Sequence, residues 1–377
     1  MRNKASAVAG ALVALAALLT GCSSGRGVNA LPPGLSSPGS PQAVSPVAGG
    51  VALWISSPQQ NEIFGLGKDG TRVLTKIDGA ANSCYSPNGI KVDHGGNLWV
   101  ACYSNYPLST CQGGSPGCEG LVQMYPSGSV QPVTYRPLKG SCAGNRRHEI
   151  CSDTFAAPSD VALDASGNVF SVNATIGGCT EGSNWVSCGG NDSGSFSYWI
   201  VGKPIRPMRI AAIDNMQAAS YLDADAAGNL YVSGSVSGTC VPPACATIVD
   251  EIAKPTSKSR VVTQIIGPTS DQLGGVYVSK NGSVLDVVDE TARTISQYAL
   301  PWVASETPFN VLGPTLEQMG KGEPIAGGFD KAEKHLAIGD ADGWIDVGDV
   351  AGNRWSAVGK RDLKRGNAGA AYVPSDK

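Results

Sequence analysis

The run PNGIKVDHGGNLWVACY, residues 87–103, decides the fold. It opens with alternating small and apolar residues and reaches Asp93-His94-Gly95-Gly96-Asn97. A second apolar run, Leu98-Trp99-Val100, follows at once. Gly supplies the positive φ of a tight hairpin, and Asp and Asn tolerate turn geometry, so the stretch reads as two antiparallel strands joined by a short turn.

The unit recurs. PSDVALDASGNVFSVNA (158–174) and ASYLDADAAGNLYVSGS (219–235) keep the Asp-x-x-Gly-Asn turn. GGVYVSKNGSVLDVVDE (274–290) is a weaker copy, and AGGFDKAEKHLAIGDAD (326–342) has lost the turn glycine. VALWISS (51–57) is the second half of a copy. The first apolar residues after each turn are Leu53, Leu98, Val169, Leu230, Val284 and Leu336, spaced by 45, 71, 61, 54 and 52 residues. Repeats of this length, each with about four short strands, mark propeller blades. In the first, VALWISS, NEIFGLG and TRVLTKI read as successive strands. That blade lacks an innermost strand, and the run Gly369-Ala370-Ala371-Tyr372-Val373-Pro374 reads as the missing one. The expected fold is all-β, a six-bladed β-propeller closed by a C-terminal strand pairing with the N-terminal blade, which leaves no open sheet edge.

The pattern resembles NHL-type and SMP-30-like six-bladed propellers, whose repeat reads roughly as Pro-x-Gly-apolar-x-apolar-Asp-x-x-Gly-Asn-apolar-Tyr-Val. Residues 87–100 carry the likeness most closely. Such propellers include lyases, lactonases and binding modules, so the fold does not choose among them.

The chain has 377 residues, a formal net charge of −3, 16% charged residues, 49 Gly and 24 Pro. Its Lys and Arg are scattered, which argues against a nucleic-acid partner. Three regions follow. Residues 1–21 have a basic start (Arg2, Lys4) and an apolar run from Ala5 to Leu19, the pattern of an export signal peptide. Leu19-Thr20-Gly21-Cys22 resembles the lipobox of bacterial lipoproteins, which implies cleavage before Cys22 and lipid on its thiol and new amino terminus. Residues 22–50, rich in Ser, Gly and Pro, read as a disordered tether. Residues 51–377 hold the propeller. The resemblance implies a membrane-anchored, extracytoplasmic protein in the periplasm or at the cell surface, in the outer membrane where there is one.

Ten cysteines remain beside Cys22: Cys84, Cys102, Cys111, Cys118, Cys142, Cys151, Cys179, Cys188, Cys240 and Cys245. An even number in an exported chain argues for disulfides, and no CxxC spacing supports zinc. Counting strands places all ten in, or beside, connections on one face of the disc, with Cys102, Cys111 and Cys118 in the long second-to-third-strand loop of the second blade. Local pairs are expected for Cys142–Cys151, Cys179–Cys188 and Cys240–Cys245, with Cys84, Cys102, Cys111 and Cys118 pairing among themselves.

The same face collects the candidate binding residues Asn88, Tyr103, Asn105, Tyr106, His148, Asn173, Trp185, Asp289 and Asp340. Phe196, Tyr198 and Trp199 join them or start a buried strand. Rigid loops with Tyr and Trp suit a glycan or a protein ligand. No catalytic residue is assigned: His94 and His335 lie in turns of the opposite face, and His148 stands in an ion-pair cluster with Arg146, Arg147 and Glu149. In the SMP-30-like relatives, carboxylate and Asn side chains converge on Ca²⁺, and Asp289 and Asp340 are candidates for such a site. The first blade, however, offers no Glu before Glu62. Asp93, Asp164 and Asp225 read as turn residues.

Overall fold

A computed structural model describes residues 50–68, 72–107, 109, 120–135, 149–151, 158–173, 179–181, 185–188, 194–202, 209–213, 216–236, 246–279, 281–303, 307–312, 324–329, 334–340, 345–349, 354–358 and 369–372. Among the described residues, twenty-seven strands and one 3-10 turn, Ala80–Asn82, make an all-β protein. No helix among the described residues is long and apolar enough to cross a membrane. The segments expected to be signal and tether, with Cys22, lie outside the described residues, apart from Gly50.

Twenty-four of these strands form six four-stranded antiparallel sheets. The first joins Gly369–Tyr372, Leu53–Ser57, Glu62–Leu66 and Val73–Asp78 in that spatial order. The second runs Tyr85–Val92, Leu98–Ser104, Leu121–Tyr125, Val133–Tyr135. The third holds Pro158–Leu163, Val169–Asn173, Gly194–Trp199 and Arg209–Ile213. The fourth holds Ala218–Ala224, Leu230–Ser235, Thr247–Ala253 and Val261–Thr269. In the fifth are Leu273–Val278, Val284–Asp289, Thr294–Ala299 and Asn310–Leu312. The sixth comprises Pro324–Phe329, His335–Asp340, Ile345–Asp349 and Arg354–Val358. Five of the six sequence anchors begin a second strand, and Leu336 follows His335 by one residue.

The repeated turn explains why these hairpins form. Asp93 accepts the backbone N–H of Asn97 on Oδ1 and its side-chain amide on Oδ2, both at 2.9 Å, while Gly96 takes φ 77°. Asp164 and Asp225 hold Asn168 and Asn229 in the same way, at 2.7 to 2.9 Å. The carboxamide oxygens of Asn97 and Asn168 then accept the N–H groups of Ser127 and Val201, each at 3.0 Å. Those residues lie in third-to-fourth-strand turns. One local motif therefore ties two turns together on one edge of the sheet, here termed the turn edge.

Neighbouring sheets pack face to face through apolar clusters. Trp54, Ile63 and Ile77 meet Ile90 and Leu121 between sheets one and two. Trp99, Val122 and Tyr135 meet Val161 and Val169 between two and three. Phe170, Phe196 and Ile213 meet Leu222 and Val232. Tyr231 and Val249 meet Val276 and Leu285, and Val288 and Ile295 meet Leu336 and Ile338. Leu53, Ile55 and Phe64 pack with Ala337 of the sixth sheet and Ala370. The innermost strands touch in the same order, and Pro324–Phe329 contacts Gly369–Tyr372, which contacts Tyr85–Val92.

Register shifts in the innermost strands of sheets two to six mark bulges. Bulges take carbonyls off the ladder, and three of them accept hydroxyls from the preceding sheet. Ser159 Oγ donates to Ser220 O at 2.7 Å and Ser233 Oγ to Gly274 O at 2.6 Å, while Ser56 Oγ donates to Asn88 O.

Candidate functional site

Opposite the turn edge lies the loop edge, which carries the second-to-third-strand and sheet-to-sheet connections. The region read as plain loop in the third sheet contains strands. Cys179–Glu181 pairs antiparallel with Trp185–Cys188, which pairs in parallel with Glu149–Cys151. Two insertions far apart in sequence thus build a seventh, three-stranded sheet, set against Arg209–Ile213. Its backbone register puts Cys179 opposite Cys188.

Cys84 and Cys102 form a disulfide, one of the pairings left open by the sequence. Cys102 is not in the long loop where strand counting put it: it lies inside Leu98–Ser104. Both cysteines are fully buried and pack with Trp54, Ile63 and Ile90. The bond is therefore part of the core between sheets one and two, beneath the loops. Cys111, Cys118, Cys142, Cys240, Cys245 and His148 lie outside the described residues, and Cys151, Cys179, Cys188, Trp185 and Asp340 are placed by their backbone alone.

Tyr103 lies near the end of the second strand of sheet two, and Asn105 and Tyr106 follow that strand. Tyr106 is 49% exposed, Tyr103 is half-buried with its hydroxyl pKa raised by burial, and Asn105 is 9% exposed. Asn88 is half-buried in the innermost strand of the same sheet. Asn173 is fully buried. Its Nδ2 donates to Ser195 Oγ at 3.1 Å and Ser197 Oγ at 3.0 Å, so it knits two strands together. Asp289 accepts the N–H of Ala292 at 2.7 Å, and burial, then Asp271, raises its pKa. Phe196 is buried, Tyr198 stacks near Phe170, and Trp199 meets Tyr135 edge-on at 5.3 Å. Their strand runs to the turn edge, since Trp199 pairs with Val169, so these three aromatics serve packing.

A second cluster was missed by sequence reasoning. Lys91, Asp160, Asp223 and Tyr277 come from the innermost strands of sheets two, three, four and five. Lys91 Nζ lies 3.2 Å from Asp223 Oδ1 and 5.5 Å from the centre of the Tyr277 ring. Asp223 Oδ2 accepts the N–H of Val278 at 3.0 Å. Asp160 is 6% exposed and accepts the N–H of Val161 at 2.8 Å and of Leu222 at 3.1 Å. Its side chain occupies the space a Cβ on Gly89 would need, so a glycine is required there. Burial pushes the Asp160 carboxyl up to about 7, against the pull of Lys91 and of those N–H groups. The Tyr277 hydroxyl is also raised, first by burial and then by Asp160. The cluster can hold or release a proton near neutrality. Its signal in the sequence was faint: Lys91 and Asp223 stand where the copy at 158–174 has Ala162.

Among the described residues, no group of three or more His, Cys, Asp or Glu is placed to hold a metal ion.

No family model matches the chain, and no curated protein matches it. Among solved structures, a chain of a nidogen/laminin complex superposes with a TM-score of 0.53 at 13% identity, covering 86% of this chain and 99% of that one. A protein of unknown function from Desulfotomaculum acetoxidans gives a TM-score of 0.49 at 12% identity, covering 86% and 99%. At such identity the first likeness bears on the fold alone. The chain is an all-β protein of small antiparallel sheets with propeller-like neighbours.

Proposed function

We propose that the chain is an exported, lipid-anchored six-bladed β-propeller acting as a non-enzymatic binding or scaffold module. Six sheets act as blades, and Gly369–Tyr372 closes the ring beside Leu53–Ser57. The loop edge around sheets two to four is the recognition surface, for a glycan or a protein. The observation that supports this reading is the seventh sheet, where two insertions are ordered against the third sheet. A rigid scaffold presenting built-up connections is the usual basis of loop-borne recognition.

Glycan and peptide arrays probed with the full chain and with Tyr106→Ala test it. Binding weakened by the substitution supports the reading, and binding indifferent to every change on the loop edge overturns it. Mass spectrometry of Cys22 tests the anchor.

One observation favours a second reading, in which the protein is a hydrolase or lyase working at the ring centre, with or without Ca²⁺. Asp160, poised near neutrality beside Lys91, has the character of a general acid–base. Turnover of lactone or ester substrates that is lost in Asp160→Asn would establish this reading. Dependence on Ca²⁺, removed by chelator, would mark its metal-assisted form.

A further inference from the structure

The two edges of the fold differ in what they expose. Among the described residues six large hydrophobic side chains are exposed. Tyr106 lies on the loop edge. Val201, Val261 and Val303 lie in or beside the third-to-fourth-strand connections of sheets three, four and five, between 48% and 66% exposed, whereas Phe309 and Val311 lie further along sheet five, away from the turn edge. Single exposed apolar residues need no explanation, but a group on three consecutive sheets does. Val261 starts the last strand of sheet four, opposite Ala253. Phe309 donates its N–H to Gln297 O, and Val311 stands opposite Ser296 on sheet five.

Charge is divided the same way. Of the exposed basic side chains described, Lys68, Arg72, Lys254, Lys258 and Lys334 are at the turn edge, and Lys76 is paired with Glu62 at 2.6 Å. The exposed carboxylates, Asp78 and Asp271, are at the loop edge. Asp93, Asp164 and Asp225 are taken up in turns. Glu251, half-buried, has its pKa raised by burial and by Asp225. The chain also enters the fold here: Leu53 pairs with Tyr372, at the turn end of the innermost strand.

We propose that the turn edge is a membrane-docking face that takes the surface of a bilayer with anionic headgroups. Apolar side chains sink into the headgroup boundary while lysines meet the lipid charge. The geometry also fits the tether, because a chain anchored at Cys22 and entering at this edge would leave the loop edge pointing away from the membrane. That last link rests on the lipoprotein reading above. The apolar and basic patch does not.

The test uses the full chain carrying Cys22→Ser, so no acyl group contributes, with vesicles of phosphatidylcholine alone or mixed with phosphatidylglycerol. Hydrogen exchange should slow at Val201–Gly202, Lys254–Val261 and Trp302–Val303 with the anionic vesicles only. Lys254→Ala and Lys258→Ala should each lower partitioning about fivefold, without loss of fold at these exposed positions. Protection confined to residues before Gly50, or to Cys102–Pro107, would overturn the proposal. So would protection that grows with protein concentration in the absence of vesicles, which would mark a contact between copies. Absence of lipid on Cys22 in the exported wild type would remove the anchor and leave the docking result standing.

Discussion

Lys91 Nζ reaches Asp223 Oδ1 at 3.2 Å across the third sheet, since the two residues belong to the innermost strands of sheets two and four. Both side chains are mostly buried, at 16% and 17% exposure. Removing one partner of a buried pair leaves the other charge uncompensated, at a cost of about 3–5 kcal/mol. Lys91→Met should therefore lower unfolding stability by about that much in urea titration. Lys91→Met with Asp223→Asn should recover a good part of it. A loss in the double variant equal to the sum of the losses in Lys91→Met and Asp223→Asn alone would show that the pair carries no coupling.

Asp160 gives a pH dependence whose sign is fixed by its environment. Its carboxyl sits near 7 in the folded chain against an ordinary 3.8. The folded state therefore holds the proton more tightly than the unfolded chain. Stability from this group is complete below the ordinary value, falls as pH rises toward 7, and is gone above it. Within that window the loss is about 1.4 kcal/mol per pH unit. Denaturant titrations between pH 5 and 8 should show a decline for the wild type that is shallower in Asp160→Asn. Parallel curves would rule out the raised carboxyl. Lys91 and Asp223 face Asp160 from the neighbouring strands, and Tyr277 lies close by, so their substitution should shift the midpoint.

What the sequence disclosed and what it concealed divide along range. The Asp-x-x-Gly-Asn turn is closed within five residues, so its carboxylate and glycine announced the hairpins directly. Hydrophobic alternation fixed the strand starts, and Gly369–Tyr372 had no partner except the incomplete first blade. The central cluster depends on side chains meeting from strands far apart in the chain, and no local spacing encodes that meeting. Strand counting went astray at Cys102 because the second strand continues through Ser104 before the long connection begins. Asn173 looked like a free amide at a strand end, and only the serines opposite it reveal the buried knot.

The Cys84–Cys102 bond should be a core element that resists reduction in the native state. Both cysteines are fully buried, so dithiothreitol should leave them oxidised until the chain unfolds. Replacing both with Ala opens a loop with a sequence separation of 18 and should cost about 3 kcal/mol by the chain-entropy argument. Peptide mapping after native reduction, with guanidinium titration of the double variant, checks both statements. Rapid native reduction would place the pair at the surface.

Truncation after residue 368 tests whether the two ends of the chain support one another. Gly369–Tyr372 pairs with Leu53–Ser56 along four registers, and Ala370 is buried against Leu53, Ile55 and Phe64. Its removal takes away ladder bonds worth about 1 kcal/mol each and bares the edge of Leu53–Ser57. It also withdraws the strand that Pro324–Phe329 and Tyr85–Val92 both contact. An uncovered edge of buried apolar strand invites intermolecular pairing. The truncated chain should unfold several degrees earlier and aggregate, as read by calorimetry and light scattering. An unchanged melting temperature would mean that the last strand is an appendage, and that sheets one and six hold together without it.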